Sequence, residues 1–138
     1  MSKHDAKYLQ MALLWSQASY AERLKVGAII VKDNQIVSDG YNGMPEGFEN
    51  ICEYVDQGQT LSRPEVLHAE ANAIMKLARS TMSSVGATLF CSHSPCFECA
   101  KLIIQAKIKR VVYRFEYRNS DGLELLKKAN IETLQLEL

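Results

Sequence analysis

The segment CSHSPCFECA, at residues 91–100, holds three of the four cysteines of the chain together with a histidine and a proline. Cys96 and Cys99 are three residues apart, so both side chains would share one face of a helix. Pro95 suits the first turn of that helix, where the helix dipole favours the thiolate form that binds metals. Such thiols could form a disulfide, attack a substrate or hold a metal.

A metal site would need more than these two cysteines. Zinc is usually four-coordinate, and catalytic zinc keeps one position for water, so one further protein ligand would complete the site. His68 is the best candidate because it opens another helix and begins the segment HAE. His4 is expected to be solvated on an N-terminal helix. His93 could reach the site or pack beside it as a loop residue, and we favour packing.

Glu70 follows His68 by two residues. In the first turn of a helix the two side chains can converge on one pocket, and a carboxylate that is not itself a ligand can carry a proton there. Alone, Glu70 would be an ordinary helix-start glutamate. However, HAE is followed by PCFEC at residues 95–99, and H-x-E with P-C-x-x-C is the signature of zinc deaminases that act on bases.

The elements that must position these residues follow from apolar periodicity and turn signals. A first amphipathic helix is predicted over residues 1–18, before two antiparallel strands at 26–31 and 36–41 that flank the polar KDNQ. The remaining predicted elements are helices over 64–78, 95–106 and 121–129, and strands over 87–92, 110–115 and 131–138.

The predicted order is therefore α-β-β-α-β-α-β-α-β in a single α/β domain over residues 1–138. The strands at 87–92 and 110–115 should be parallel, since they flank a helix. Residues 42–63 form a long connection with a weak helical indication at 52–55, and connections of this length are usually functional or mobile.

The charge and composition of the chain exclude some classes of binding partner. The chain has 16 Lys plus Arg and 16 Asp plus Glu, so no global field would draw it onto nucleic acid or an anionic membrane. No apolar run approaches the roughly 20 residues of a membrane helix. There is no signal-peptide pattern, and cysteines are sparse, which favours a reducing cytoplasm. We expect a small-molecule ligand.

Three segments, GYNGMP at 40–45, HAEANAIM at 68–75 and SPCFECAKLIIQAKIKRVVY at 94–113, closely resemble the deoxycytidylate deaminases. The resemblance covers almost the whole chain and is weakest over 48–63 and after residue 117. It implies a three-layer α-β-α cytidine deaminase-like fold with a central mixed five-stranded sheet. It also implies hydrolysis of dCMP to dUMP and ammonia, supplying dUMP for thymidylate synthesis.

The same resemblance implies roles for individual residues. His68, Cys96 and Cys99 would bind Zn²⁺, and Glu70 would shuttle the proton. Asn42 would hydrogen-bond the sugar, the backbone at Ala69 and Ser94 would read the pyrimidine amide edge, and Tyr117 could cover the base. Asn42 and Tyr117 could instead be structural. A monophosphate adds about two negative charges, and the candidate cations are Arg23, Lys25 and Arg118.

Regulation is also implied. Many relatives are hexamers activated by dCTP and inhibited by dTTP, with the effector and Mg²⁺ near the GYNG loop at subunit contacts. We therefore predict a homo-oligomer, a hexamer, with effector binding at Gly40, Asn42 and Gly43. Some phage relatives hold a second, structural zinc in the long loop, where this chain keeps only Cys52. We predict one zinc, with Cys52 a buried or free thiol and Cys91 in the core.

Two alternatives remain open. The chain could be another deaminase of the superfamily, acting on tRNA adenosine, a riboflavin precursor or free cytidine, although zero net charge counts against tRNA. It could also be a catalytically silent module that binds zinc and nucleotide. Glu70 discriminates the enzyme from the module, because it is the only proposed proton carrier.

Overall fold

The structure, a computed structural model, describes residues 2–138; Met1, the first residue of the predicted N-terminal helix, lies outside that range. None of the helices found in residues 2–138 has both the length and the apolar character needed to cross a membrane. The elements are α1 Asp5–Ser16, β1 Gly27–Lys32, β2 Gln35–Tyr41, β3 Glu53–Asp56, β4 Gln59–Ser62, α2 Ala69–Leu77, β5 Thr88–His93, α3 Phe97–Gln105, β6 Arg110–Phe115, α4 Asp121–Lys128 and β7 Glu132–Gln135.

The central sheet has five strands in the order β2-β1-β5-β6-β7. Strand β1 is antiparallel to both of its neighbours, whereas β5, β6 and β7 are mutually parallel. The sheet is therefore mixed, and the predicted fold class is confirmed. The β1–β2 turn is made by Asp33 and Asn34 with φ of 52° and 61°, a left-handed pair that suits a two-residue hairpin.

Successive side chains of the central strands point to opposite faces of the sheet, and helices cover both faces, which gives three layers. In β1, Ala28 and Ile30 belong to the core on the side of α2, α3 and α4. Ile29 and Val31 belong to the second core, where they pack with Leu9 of α1. Helix α1 thus covers one face of the sheet and the other three helices cover the opposite face.

Helix α2 begins later than the sequence predicted, at Ala69 instead of residue 64. Leu67 is held in an extended bridge with Gly43, donating its N–H at 2.8 Å and accepting the Gly43 N–H at 3.0 Å. Backbone groups paired in this way cannot enter a helical turn. The bridge makes His68 the N-cap of α2.

The long connection contains a hairpin that the sequence analysis missed, and its helical indication at 52–55 is wrong. Strands β3 and β4 form a separate two-stranded antiparallel sheet. Their turn is Gln57–Gly58, again with two positive φ angles, 51° and 79°. Most of their side chains are exposed, so the hairpin lacks the buried face that creates period-two patterning.

A buried ion pair fastens the start of α1 to β6. Arg110 donates from Nη1 and Nη2 to the two carboxylate oxygens of Asp5 at 2.7 and 2.8 Å, and the Ser2 N–H donates to the same carboxylate at 2.9 Å. Asp5 is 1% exposed. Burial raises the pKa of Asp5, but the hydrogen bonds from Arg110 and Ser2 outweigh it, and the net pKa is lowered.

We predict that Arg110→Leu lowers the free energy of unfolding at pH 7 by about 3–5 kcal/mol, because it leaves the Asp5 carboxylate buried without its cation. Urea unfolding followed by circular dichroism measures the change. Since the native pKa of Asp5 is lowered, the pair stabilises the fold above the ordinary aspartate pKa of about 3.9 and is lost as pH falls below it.

The deficit should therefore shrink as the solution is acidified. Lys109→Leu, at the exposed neighbouring position, is the matched control and should change stability by less than about 0.5 kcal/mol. Equal stability of the Arg110→Leu and Lys109→Leu proteins at pH 7 would contradict the assigned role.

Candidate active site

A cavity of about 570 Å³ lies at the edge of the sheet where β2, β5 and β6 end and β1 begins. His93, the last residue of β5, contributes to its wall, as do Asn42 just beyond β2 and Tyr117 just beyond β6. The N-termini of α2 and α3 open onto the same space, through His68 and Cys96. Residues far apart in sequence thus meet at one edge of the sheet.

His68, Cys96 and Cys99 form the one group of potential metal-binding side chains found in residues 2–138, with ligand atoms within 4.8 Å of one another. Nδ1 of His68 lies 3.4 Å from Sγ of Cys96 and 3.3 Å from Sγ of Cys99. Tetrahedral zinc with ordinary bond lengths separates a nitrogen and a sulfur ligand by about 3.5 Å. One nitrogen and two sulfurs at these distances fit zinc.

The start of α3 is held in place from two directions. Cys96 is the N-cap residue, with an extended backbone at ψ 173°, and its Sγ accepts the Cys99 N–H at 3.5 Å. From outside, Gly122 of α4 packs against the backbone carbonyl groups of Pro95 and Cys96. A Cβ on Gly122 would lie 2.2 Å from the Pro95 oxygen and 2.8 Å from the Cys96 carbonyl carbon, so no side chain fits there.

The three side chains share protons unequally. The hydrogen bond with Cys99, together with that from His68, lowers the pKa of the Cys96 thiol to about 4. The pKa of Cys99 is raised because it donates to Cys96 and is buried. The pKa of His68 is raised by its hydrogen bond with Cys96. Cys96 is thus the thiolate of the group, in the ionisation state that binds metal.

Glu70 is buried beside this group, with only 4% of its surface exposed. Burial raises the pKa of Glu70 to about 7, against the opposing effects of its own backbone hydrogen bond and of the nearby His68. His68 precedes α2 and Glu70 is its second residue, and both line the cavity, as expected for a first turn. A carboxyl with this pKa can take up and release a proton near neutral pH.

Asn42 lines the cavity, but its amide already connects two backbone groups of the α1–β1 loop. Oδ1 accepts the Val26 N–H at 2.9 Å and Nδ2 donates to the Leu24 carbonyl at 2.8 Å. An amide has two donors and two acceptor lone pairs, so one of each remains for a ligand. Asn42 can therefore serve the loop and contact a sugar at the same time.

The two backbone positions predicted to read the base differ in what they offer. Ala69 is the first residue of α2, where N–H groups have no acceptor within the helix. The Ser94 N–H donates to the Phe115 carbonyl at 2.9 Å, and the Ser94 hydroxyl accepts the Tyr117 N–H at 2.6 Å. Ser94 thereby fixes the segment that carries Tyr117 along the cavity wall.

The predicted cations separate into two groups. Arg23 and Arg118 line the cavity together with Tyr117, whereas Lys25 is outside its wall. Arg63, which the sequence analysis missed, also lines it and is half-buried. The missed arginine lies directly after β4, in the stretch where the family resemblance is weakest. Only recognition of the β3–β4 hairpin would have indicated it.

His93 packs against Phe115, with ring centroids 5.4 Å apart, and also lines the cavity. It is not part of the group of three potential ligands. The Ser92 hydroxyl accepts the Gly27 N–H at 3.1 Å and lies 2.9 Å from Nδ1 of His93, so its proton is available to that nitrogen. Burial lowers the pKa of His93, which favours a neutral ring protonated on Nε2.

The other residues singled out in the sequence, two glycines and two cysteines, take part in packing or backbone pairing. Gly40 is buried under α2, and a Cβ there would lie 2.5 Å from the Ala69 oxygen. Gly43 forms the bridge to Leu67. Cys52 is a buried free thiol that lines the cavity, and Cys91 is fully buried in the core, as the sequence predicted for both cysteines.

This fold and this cavity define a zinc-dependent deaminase, the class in which His/Cys/Cys side chains and a neighbouring glutamate act on a base. A model of the cytidine and deoxycytidylate deaminase zinc-binding region matches residues 2–115. The chain belongs to that family.

Individual deoxycytidylate deaminases are similar to this chain in sequence and in structure. Deoxycytidylate deaminase of Enterobacteria phage T4 is 35% identical, over 93% of this chain and 87% of the phage protein. The dCMP deaminase of cyanophage S-TIM5, solved with dCMP and dUMP, is 44% identical and matches with a TM-score of 0.91 over 99% of both chains. A diaminohydroxyphosphoribosylaminopyrimidine deaminase/reductase from Thermotoga maritima is 24% identical, with a TM-score of 0.73 over 95% of this chain and 36% of that one, and shares the fold.

We predict that Cys96→Ser purifies with far less than one zinc per chain, because a hydroxyl is a poor replacement for the thiolate in a three-ligand site. Metal analysis after zinc reloading and desalting measures the content. Cys52→Ser, which alters a buried thiol that lines the same cavity, is the matched control and should keep its zinc. Stoichiometric metal in the Cys96→Ser protein would show that the ligand set is wrong.

Proposed function

We propose that this deaminase converts dCMP and water to dUMP and ammonia, with one zinc per chain. The observation that carries the proposal is the buried Glu70 beside His68, Cys96 and Cys99 in a cavity that also contains arginines. The S-TIM5 protein, solved with dCMP and dUMP and similar over nearly its whole length, supports the same substrate.

In this proposal His68, Cys96 and Cys99 hold the zinc. Bound zinc supplies the Lewis acidity that makes water nucleophilic at neutral pH. Glu70 accepts a proton from the attacking water, passes it to the pyrimidine ring nitrogen and then assists the departure of ammonia. Its pKa of about 7 suits both halves of the transfer, since neither protonation state is strongly preferred near neutral pH.

Binding of the nucleotide follows from the rest of the cavity wall. The Ala69 N–H and the backbone at Ser94 read the amide edge of the base, while Tyr117 covers its face. Asn42 contacts the sugar through its remaining donor and acceptor. The phosphate is bound by the cavity arginines Arg23, Arg63 and Arg118.

The arginines distinguish this proposal from deamination of free cytidine, which carries no phosphate. Arg23, Arg63 and Arg118 line the cavity alongside Glu53, Glu70 and Glu116, and each arginine offers several N–H donors that suit a phosphate. A silent zinc module would have no use for a carboxyl buried beside the three ligand side chains. The geometry thus favours an enzyme acting on a nucleotide.

We predict that the zinc-loaded protein releases ammonia from dCMP with a far higher kcat/KM than from CMP, cytidine, guanine or an adenosine-bearing tRNA stem-loop. Glu70→Gln should keep zinc and fold but lower kcat for dCMP by about 10³-fold, because it removes the proton carrier. Ammonia release and the loss of cytosine absorbance both measure turnover.

The matched control is Glu98→Gln, which removes an exposed carboxylate on α3 that is paired with Lys101. Its turnover of dCMP should equal that of the unaltered protein. Absence of dCMP turnover by the zinc-loaded protein would overturn the substrate assignment, and normal turnover by Glu70→Gln would overturn the mechanism.

Regulation, assembly and location remain predictions that rest on the family resemblance. We propose a cytoplasmic homo-oligomer, a hexamer, with dCTP as activator, dTTP as inhibitor and Mg²⁺ bound with the effector near Gly40, Asn42 and Gly43. The exposed side chains of Leu14, Trp15 and Met75 are compatible with contacts between subunits.

We expect dCTP with Mg²⁺ to lower the dCMP concentration at half-saturation and dTTP with Mg²⁺ to raise it, because each effector would favour a different state of the oligomer. Steady-state assays and light scattering with and without each nucleotide measure both properties. Identical dCMP saturation curves under all conditions would show that this chain is not regulated in that way.

A further inference from the structure

The β3–β4 hairpin is attached to the loop between α1 and β1 through one carboxylate. Oε2 of Glu53 accepts the backbone N–H of Glu22 at 2.9 Å and that of Arg23 at 3.2 Å. A third bond runs in the other direction, from Nη1 of Arg23 to the Ser62 hydroxyl of β4 at 3.2 Å. These bonds join parts of the chain that are 30 or more residues apart.

The ends of this loop are held by other residues. At its start the Ser19 hydroxyl donates to the Asn42 carbonyl at 2.7 Å, and at its end the Asn42 amide binds Leu24 and Val26. The middle of the loop, at Glu22 and Arg23, is instead fastened by Glu53. Loop residues without such a bond sample many backbone conformations, so Glu53 determines where the Arg23 backbone lies.

We propose that Glu53 is a positioning residue for the anion-binding wall of the cavity: by holding the Arg23 backbone it keeps that guanidinium facing the phosphate of the substrate. The proposal rests on the proposed function for the identity of the anion, a nucleoside monophosphate. Arg23, Ser62 and Glu53 all line the cavity, so the hairpin itself forms part of this wall.

Glu53 carries the same sign of charge as the phosphate, so its electrostatic effect and its positioning effect on dCMP binding are opposite. A carboxylate near a phosphate repels it, so electrostatics alone predicts that removing Glu53 tightens binding of dCMP. Positioning predicts the reverse, because two charge-assisted hydrogen bonds to the loop would be lost. The sign of the change in KM therefore separates the two roles.

Kinetics of Glu53→Ala with dCMP and deoxycytidine provide the test. Glu53→Ala should raise KM for dCMP by about tenfold with a much smaller change in kcat, and it should alter kcat/KM for deoxycytidine by less than about threefold. Glu53→Gln keeps an oxygen that can accept the same N–H groups and should restore most of the affinity for dCMP. Asp56→Ala removes an exposed carboxylate from the same strand and is the matched control.

A double-mutant cycle with Arg23→Ala shows whether Glu53 acts through Arg23. In the Arg23→Ala background, Glu53→Ala should have little further effect on KM for dCMP, whereas independent residues would give additive effects. Additive effects, or tighter binding of dCMP by Glu53→Ala, would overturn the proposal even when the unaltered protein turns over dCMP normally.

Amide hydrogen exchange tests the same contact without any substrate. Loss of Glu53 should accelerate exchange at the Glu22 and Arg23 amides and leave the core strand β5 unchanged. This measurement stands even if dCMP is not the substrate, so failure of the proposed function and failure of the positioning role are distinguishable. Unchanged exchange at both amides would refute the positioning role.

Discussion

The whole site depends on two helix starts meeting at one edge of the sheet. His68 and Cys96 are the N-cap residues of α2 and α3, and both have extended backbones, with ψ of 155° and 173°. Each can therefore turn its side chain toward the space that both helices face. Cys99 lies one turn further along α3, which brings the third donor atom within 4.8 Å of the other two.

That geometry buries a carboxyl, which costs free energy of folding. Placing Glu70 in the first turn of α2 buries a carboxyl, and burial raises its pKa to about 7. In a purely structural site such a group would be a liability, since an unpaired buried charge destabilises the fold. The contrast with Asp5 is instructive, because Arg110 pairs with that buried carboxylate and its pKa is lowered. The charge of Asp5 is balanced by Arg110, whereas Glu70 keeps a raised pKa, as the proposed proton transfer requires.

Local spacing was sufficient to predict the central features. Apolar periodicity indicated five strands in the right order and the burial of Cys91, and the H-x-E and P-C-x-x-C motifs indicated the three side chains that the structure brings together. The mixed five-stranded sheet was implied by the family resemblance and is confirmed. The β3–β4 hairpin could not be predicted, because its side chains are mostly exposed and it has no apolar alternation. Arg63 and Glu53 were missed with it. The late start of α2 was also hidden, since the Gly43–Leu67 bridge is a contact across 24 residues that leaves no local pattern.

Because Gly122 packs against Pro95 and Cys96, the metal site depends on a helix that follows all of its predicted ligands in the chain. A fragment that stops before α4 contains all three donor residues and the strands that flank them, yet it lacks the surface that packs against the carbonyl groups of Pro95 and Cys96. The affinity for zinc would then report on the docking of α4, although α4 contains none of the three predicted ligands. In synthesis or proteolysis, metal capture would mark the moment at which α4 docks.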